Sequence, residues 1–122
     1  MMTMLDVKGS IKNLSSTTEN HYKIIQNQEP FTRAFPIHFE LAYTDFRTIE
    51  MALQMTGDQN HSLLVQFSAA YEAVYQYENA YATGGLDGFN EQFGNQIPEY
   101  EQAKNQLLTL INQISQLQPV NG

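Results

Sequence analysis

The sequence predicts an all-α fold, a small up-down helical bundle with three long helices and shorter helical pieces. In three stretches the apolar residues recur at steps of three and four, which is typical of helices packed lengthwise, and the central stretch does not alternate by two as a strand would. Glycine and proline mark short connections between these stretches. With 122 residues and a hydrophobic fraction of 42%, we expect a single helical domain over residues 1–122, with 119–122 as a tail.

The central helix is predicted over residues 59–82. Its apolar seam has a period near 3.5 residues, the spacing of a helix that packs along its length, and consists of Leu63, Phe67, Ala70, Val74, Tyr77 and Tyr81. Leu64, Tyr71 and Tyr75 widen this seam on its flanks.

Two further long helices are predicted at 37–55 and 98–117. The first follows Pro36 in its first turn and carries Phe39, Ala42, Phe46, Ile49 and Leu53; the last follows Pro98 and carries Tyr100, Ala103, Leu107, Leu110, Ile114 and Leu117. Gly57 should end the first of them, with Asp58 as the next N-cap. Gly84-Gly85 permit a left-handed turn before a short helical piece that carries Phe89 and Phe93.

The N-terminal region has a less regular pattern. Residues 1–15 are predicted to form a loose arm or a short ribbon. Ser16 and Glu19 match a capping box, so a short first helix is predicted from about Thr17 to Gln28, with Tyr22 and Ile25 facing inward.

The charge is unevenly distributed along the chain. The net charge is −7, and residues 48–122 carry all of it, with eight acidic groups against Lys104 alone. Direct binding to nucleic acid would need clustered cations, so we do not expect it. An acidic surface favours solubility or a basic partner.

Membrane and redox signals are lacking in the sequence. No apolar run approaches the roughly 18 residues of a membrane span. There is no cysteine, which fits a reducing compartment. We expect a cytoplasmic protein that does not bind a membrane.

The histidines do not form a recognisable metal motif. His21, His38 and His61 fall on different predicted elements, and neither the Glu-x-x-His nor the His-Glu-x-x-His spacing occurs. We expect neither a metal nor another cofactor.

Arg33 and His38 are separated by four residues, with Pro36 between them. The spacing resembles the arginine–histidine pair of HEPN-type RNases, which are small helical bundles in which the pair lies on a helix at the cleaved phosphate. The resemblance implies RNase activity as an alternative function.

Residues 81–102 read YATGGLDGFNEQFGNQIPEYEQ. They resemble the small secreted helical-hairpin family with a Trp-x-Gly turn, which places a phenylalanine-bearing helix after a glycine turn between two long helices. The likeness covers residues 60–118 at most, and Tyr81-Ala82-Thr83 occupies the motif position in a chain without tryptophan. It implies a secreted hairpin protein as another alternative.

No nucleophile or base with an orienting partner is evident in the sequence, so we expect no catalytic residue and no enzyme. The favoured function is a protein-binding adaptor or inhibitor, with Tyr71, Tyr75, Phe89 and Phe93 as aromatic anchors in a groove between helices. The alternative is an acidic inhibitor or DNA mimic that occludes a nucleic-acid-binding protein with Glu72, Glu78, Asp87, Glu91, Glu99 and Glu101, of which Glu91 and Glu99 are the residues to test.

Self-association is also expected, most simply as a homodimer. The predicted apolar arc of the central helix, with Leu64, Tyr71 and Tyr75 beside the seam, is wider than one neighbour covers. The other possibility is that the first helix and the linker aromatics Phe31 and Phe35 cover this arc within one chain.

Overall fold

The structure is a computed structural model that describes residues 7–117, and it consists mainly of four helices. They are α1 (Lys8–Gln26), α2 (Ala34–Met55), α3 (His61–Phe93) and α4 (Ile97–Ser115). A 3₁₀ turn, Asp58–Asn60, precedes α3, and residues 7–117 contain no strand. The predicted all-α fold is confirmed.

Helices that follow one another in the chain pack side by side. The extensive packing is between α1 and α2, α2 and α3, α3 and α4, and α4 and α1, while α1 and α3 lie diagonally and touch little. This is the arrangement of a four-helix up-down bundle joined by short loops.

The core is built from the predicted seams. On α3, Phe67, Ala70, Val74, Tyr77 and Tyr81 are buried and Leu63 is half-buried; on α4, Tyr100, Leu107, Leu110 and Ile114 are buried. On α2 the buried set is Phe35, Phe39, Ala42, Phe46, Ile49, Ala52 and Leu53. Pro36 lies in the first turn of α2 and Pro98 in the first turn of α4, as predicted.

The first helix begins earlier than the sequence predicted. It begins at Lys8, so residues 8–15 are neither an arm nor a ribbon, and the predicted capping box at Ser16 is wrong because Ser16 lies within the helix. Val7, Ile11, Leu14 and Thr18 are buried at helical spacing. Packing of this face outweighs the low helix propensity of the Ser and Thr residues. The prediction for residues 1–6 lies outside the described residues.

Glycine accounts for the end of one helix and for the kink in another. Gly57 ends α2 at φ 86°, as predicted, but the N-cap of α3 is Asn60 and not Asp58. Gly85 has φ 64° and ψ −157° inside α3, so the helix kinks there, and the predicted short piece with Phe89 and Phe93 continues as its last turns. No helix within residues 7–117 is long and apolar enough to cross a membrane.

Candidate functional site

The side of α2 that faces away from the core carries a row of exposed apolar side chains. Ile37 is 58% exposed, Leu41 57%, Met51 51% and Met55 61%. Together with Thr44 and Thr48 they follow steps of four, three, four, three and four, and we call these six residues the outer stripe. No charged residue lies in it.

The outer stripe lies opposite the core seam of α2. Each of its members follows a position of the buried series Phe35, Phe39, Ala42, Phe46, Ile49 and Leu53 by two residues. Two residues correspond to a rotation of about 200° around an α-helix. The helix therefore has two seams of the same period, of which the fold covers one.

The two threonines of the outer stripe have their hydroxyls bonded within the helix. The Thr44 hydroxyl donates to the carbonyl oxygen of Glu40 at 3.3 Å, and the Thr48 hydroxyl donates to that of Thr44 at 3.0 Å. Because these hydroxyls already have acceptors within the helix, covering them would leave no donor unpaired.

A groove between α2 and α3 adjoins the outer stripe. It has a volume of about 510 Å³ and is lined in part by Phe39, Tyr43, Thr44 and Tyr75. Tyr43 is 46% exposed and Tyr75 37%, and their ring centroids are 6.3 Å apart. Thr44 belongs to both the groove and the stripe, so the two form one continuous surface.

The four predicted aromatic anchors do not lie together. Tyr71 is buried, stacked on Phe46 with ring centroids 4.1 Å apart, and burial raises its pKa. Phe89 is buried as well, and Phe93 is half-buried with its ring 4.8 Å from that of Tyr77, on the α4 side of α3. Tyr75 alone of the four is exposed and lines a groove. The structure thus removes Tyr71 and Phe89 from the accessible surface.

The fold also buries one residue of the predicted acidic surface. Glu91 and Glu99 are exposed. Glu78, expected to be exposed, is instead 4% exposed and lies in the core.

Glu78 pairs with His21 across the bundle. Its Oε1 lies 2.7 Å from the His21 Nδ1, and the side chains are 6% and 2% exposed. Burial raises the pKa of Glu78, and the bond from His21 opposes that shift. The His21 ring stacks on Phe35 at a centroid distance of 3.9 Å. The pair ties α1 to α3, which share few other contacts.

The same pair has the form of an oriented base, since a carboxylate holds one imidazole nitrogen. The other nitrogen, Nε2, is buried and has no hydrogen-bond partner among the described residues. A cleft of about 400 Å³ is lined partly by His21 itself, together with Thr17, Lys23 and the exposed His38. Within residues 7–117 no three His, Asp or Glu side chains are grouped as metal ligands.

The sequence analysis missed both the outer stripe and the buried pair. The stripe is visible in the sequence as a second apolar series on α2, two residues out of phase with the first. Glu78 lies seven residues after Tyr71, on the flank of the α3 seam, and His21 lies seven residues after Leu14 on α1. The late predicted start of the first helix hid the seam on which His21 lies.

The arc of α3 that suggested a dimer is covered inside the chain. Phe46 stacks on Tyr71, Phe39 lies 4.9 Å from Tyr75 between ring centroids, and Phe35 lies 4.5 Å from Tyr81. Thus α2 supplies this cover, including Phe35, which was predicted to lie in the linker. Most of the exposed large apolar side chains of the described residues lie on α2, although Val65 and Tyr75 of α3 are exposed as well.

Comparison with known proteins gives no relative: no family model, no curated protein and no solved structure matches the chain.

Proposed function

We propose that the chain is a non-enzymatic protein-binding module, and that the outer stripe of α2 receives an α-helix of a protein partner. One observation carries the proposal. Seven of the eight large hydrophobic side chains exposed among residues 7–117 belong to α2 or to α3, and five of them to α2 alone. Exposed apolar residues scattered singly need no explanation, whereas a contiguous patch marks an interaction surface.

The spacing of the outer stripe supports a helix as the partner element. Steps of three and four present one continuous row along about 27 Å of helix, from Ile37 to Met55. A partner helix with an apolar face of the same period could pack along this row. The groove beside it, with Tyr43 and Tyr75 at its edge, offers room for a side chain of the partner.

The absence of enzymatic activity belongs to the same proposal. The imidazole of His21 is bonded to Glu78 and stacked on Phe35, and although the ring forms part of the wall of the cleft, its Nε2 is buried. A general base must reach the proton that it removes. We therefore assign the pair to the core, and place the protein in the cytoplasm, which a sequence without cysteine permits.

Site-specific photocross-linking tests the proposal. A benzoyl-phenylalanine placed at Leu41 or Met51 and irradiated in the native host should give a discrete adduct whose cross-linked peptide is helical and amphipathic. The matched control carries the same group at Gln106, an exposed position on α4. Equal labelling from all three positions, or none from the stripe positions, would contradict a docking role for the outer stripe.

A further inference from the structure

We propose that the groove between α2 and α3 binds the guanidinium group of an arginine side chain carried by the partner helix. This inference rests on the proposed function and names the chemistry of one partner residue. The site consists of three aromatic side chains, Phe39, Tyr43 and Tyr75, and the carboxylate of Glu40, all of which line the groove.

Aromatic rings form much of the wall of the groove. The ring centroids of Tyr43 and Tyr75 are 6.3 Å apart with an angle of 63° between the ring planes, and the ring of Phe39 lies 4.9 Å from that of Tyr75. Both tyrosines remain exposed, so a ligand in the groove meets aromatic surface. A cation within about 6 Å of a ring centroid is attracted by the negative face of the ring.

The charge of the groove has one sign. Glu40 is the one charged residue among the nine that line it in the described part of the chain. It is exposed, and it forms no ion pair within residues 7–117. The whole chain carries a net charge of −7. The groove therefore favours a cation over an anion.

The hydrogen-bonding groups of the groove favour a ligand that donates. The Thr44 hydroxyl donates to the carbonyl oxygen of Glu40 at 3.3 Å, and the Thr83 hydroxyl donates to that of Asn79 at 2.8 Å. These two donors are already used, whereas the Glu40 carboxylate can only accept when it is ionised. A guanidinium group supplies five N–H donors in a plane, stacks on aromatic faces and is more weakly hydrated than an ammonium group, which suits a half-exposed aromatic groove.

The position of the groove fits a side chain on the flank of a docked helix. Glu40 is adjacent in the chain to Leu41 of the outer stripe, and Thr44 belongs to both the stripe and the groove. Residues on the flanks of paired helices form ion pairs in the same way. An apolar side chain here would cover the Glu40 carboxylate without a partner for it, which costs free energy. An arginine pairs with it, and its methylene stem lies along the rings.

A nuclear magnetic resonance titration tests the class of ligand. The probe is Nα-acetyl-arginine methylamide, and its matched control is the citrulline derivative, which has the same length and a planar but neutral end group. The arginine derivative should shift the amide resonances of Asn79 and Ala82 with a dissociation constant of roughly 1 to 10 mM. The citrulline and lysine derivatives should each bind at least about threefold more weakly.

Two variants test the residues of the site. Glu40→Gln and Tyr43→Leu should each weaken binding of the arginine derivative at least about threefold. Glu72→Gln is the matched control, because it removes the same charge from an exposed position of α3 that does not line the groove. It should leave the dissociation constant unchanged within about 1.5-fold.

Three outcomes would overturn the inference: no shift of the groove resonances, equal binding of the arginine derivative and either control derivative, or equal effects of Glu40→Gln and Glu72→Gln. If one of these occurs while Leu41 and Met51 still give a cross-linked adduct, the proposed function stands and the arginine is rejected. If the arginine derivative binds as expected but the stripe labels nothing, the groove keeps its ligand and the helical partner is rejected.

Discussion

At the scale of single residues, the His21–Glu78 pair makes stability depend on pH. Burial raises the pKa of Glu78 above its ordinary 4.5, so the folded chain holds this proton more tightly than the unfolded chain does. The resulting contribution to stability is complete below pH 4.5 and is lost as the pH rises through the folded-state value. His21 offsets part of this loss, because its bond favours the carboxylate.

Replacing Glu78 by Gln should therefore stabilise the folded chain more at higher pH than at lower pH. The amide oxygen can still accept the hydrogen bond of the His21 Nδ1, but it carries no charge to desolvate. We expect the free energy of unfolding of Glu78→Gln, relative to wild type, to rise by about 1 kcal/mol between about pH 5 and about pH 8. Urea unfolding at several pH values measures this.

Glu72→Gln is the control for this prediction, because Glu72 is an exposed carboxylate on the same helix. Its free energy of unfolding should change with pH in the same way as that of wild type, since surface substitutions change stability by less than about 0.5 kcal/mol. A parallel profile for Glu78→Gln as well would show that the buried carboxyl does not control the pH dependence.

At the scale of helices, the sequence predicts a helix correctly where a single apolar seam dominates the stretch. The seams of α2, α3 and α4 and the glycines at 57 and 85 sufficed to place those helices. The start of α1 was missed because Ser15 to Thr18 have low helix propensity, and the burial that overrides it depends on α2 and α4, which local sequence does not show.

The adjacent glycines of α3 should respond oppositely to alanine. Gly85 has φ 64° and ψ −157°, a conformation open almost only to glycine, although a Cβ there would meet Phe31 at an ordinary 3.8 Å. Gly85→Ala should thus cost about 1 to 3 kcal/mol through backbone strain alone. Differential scanning calorimetry or urea unfolding measures the loss.

Gly84→Ala is the matched control one residue away. Its Cβ would meet nothing within 4 Å, and its φ is not positive. Alanine there should be neutral or stabilise by up to about 1 kcal/mol, because it restricts the unfolded chain. Equal effects at both positions would mean that the kink does not depend on the left-handed conformation of Gly85.

At the scale of the whole molecule, the candidate site was only partly predictable. Tyr75 and an apolar helical surface were expected, but α2 has two seams of equal period, and the sequence does not say which one the bundle covers. The positions of the neighbouring helices decide this: α2 packs on α1 and α3, which bury the series from Phe35 to Leu53, whereas Ile37, Met51 and Met55 are left exposed. The His21–Glu78 pair joins residues 57 apart, which no local pattern reveals.

Salt should distinguish apolar docking from the charge-led alternative. Screening shortens to about 3 Å at 1 M salt, whereas burial of the uncharged outer stripe does not depend on screening. In a lysate of the native host, we expect the yield of the photocross-linked adduct at Met51 to fall by less than about fivefold between about 0.1 M and about 1 M NaCl. The reason is that Glu40 is the one charged residue among the described residues that line the groove. Binding that collapses at high salt would instead favour the acidic surface with Glu91 and Glu99.

The yield of the photocross-linked adduct at Met51 in a Leu41→Glu chain tests most directly whether the outer stripe serves binding and not the fold. The yield should fall at least about tenfold, because docking would bury a charge without a partner. The thermal midpoint of the same variant should stay within about 2 °C of wild type, and Gln106→Glu should change neither quantity. An adduct yield that stays at the wild-type level, or a Leu41→Glu midpoint well below that of wild type, would contradict the assignment of this face to binding.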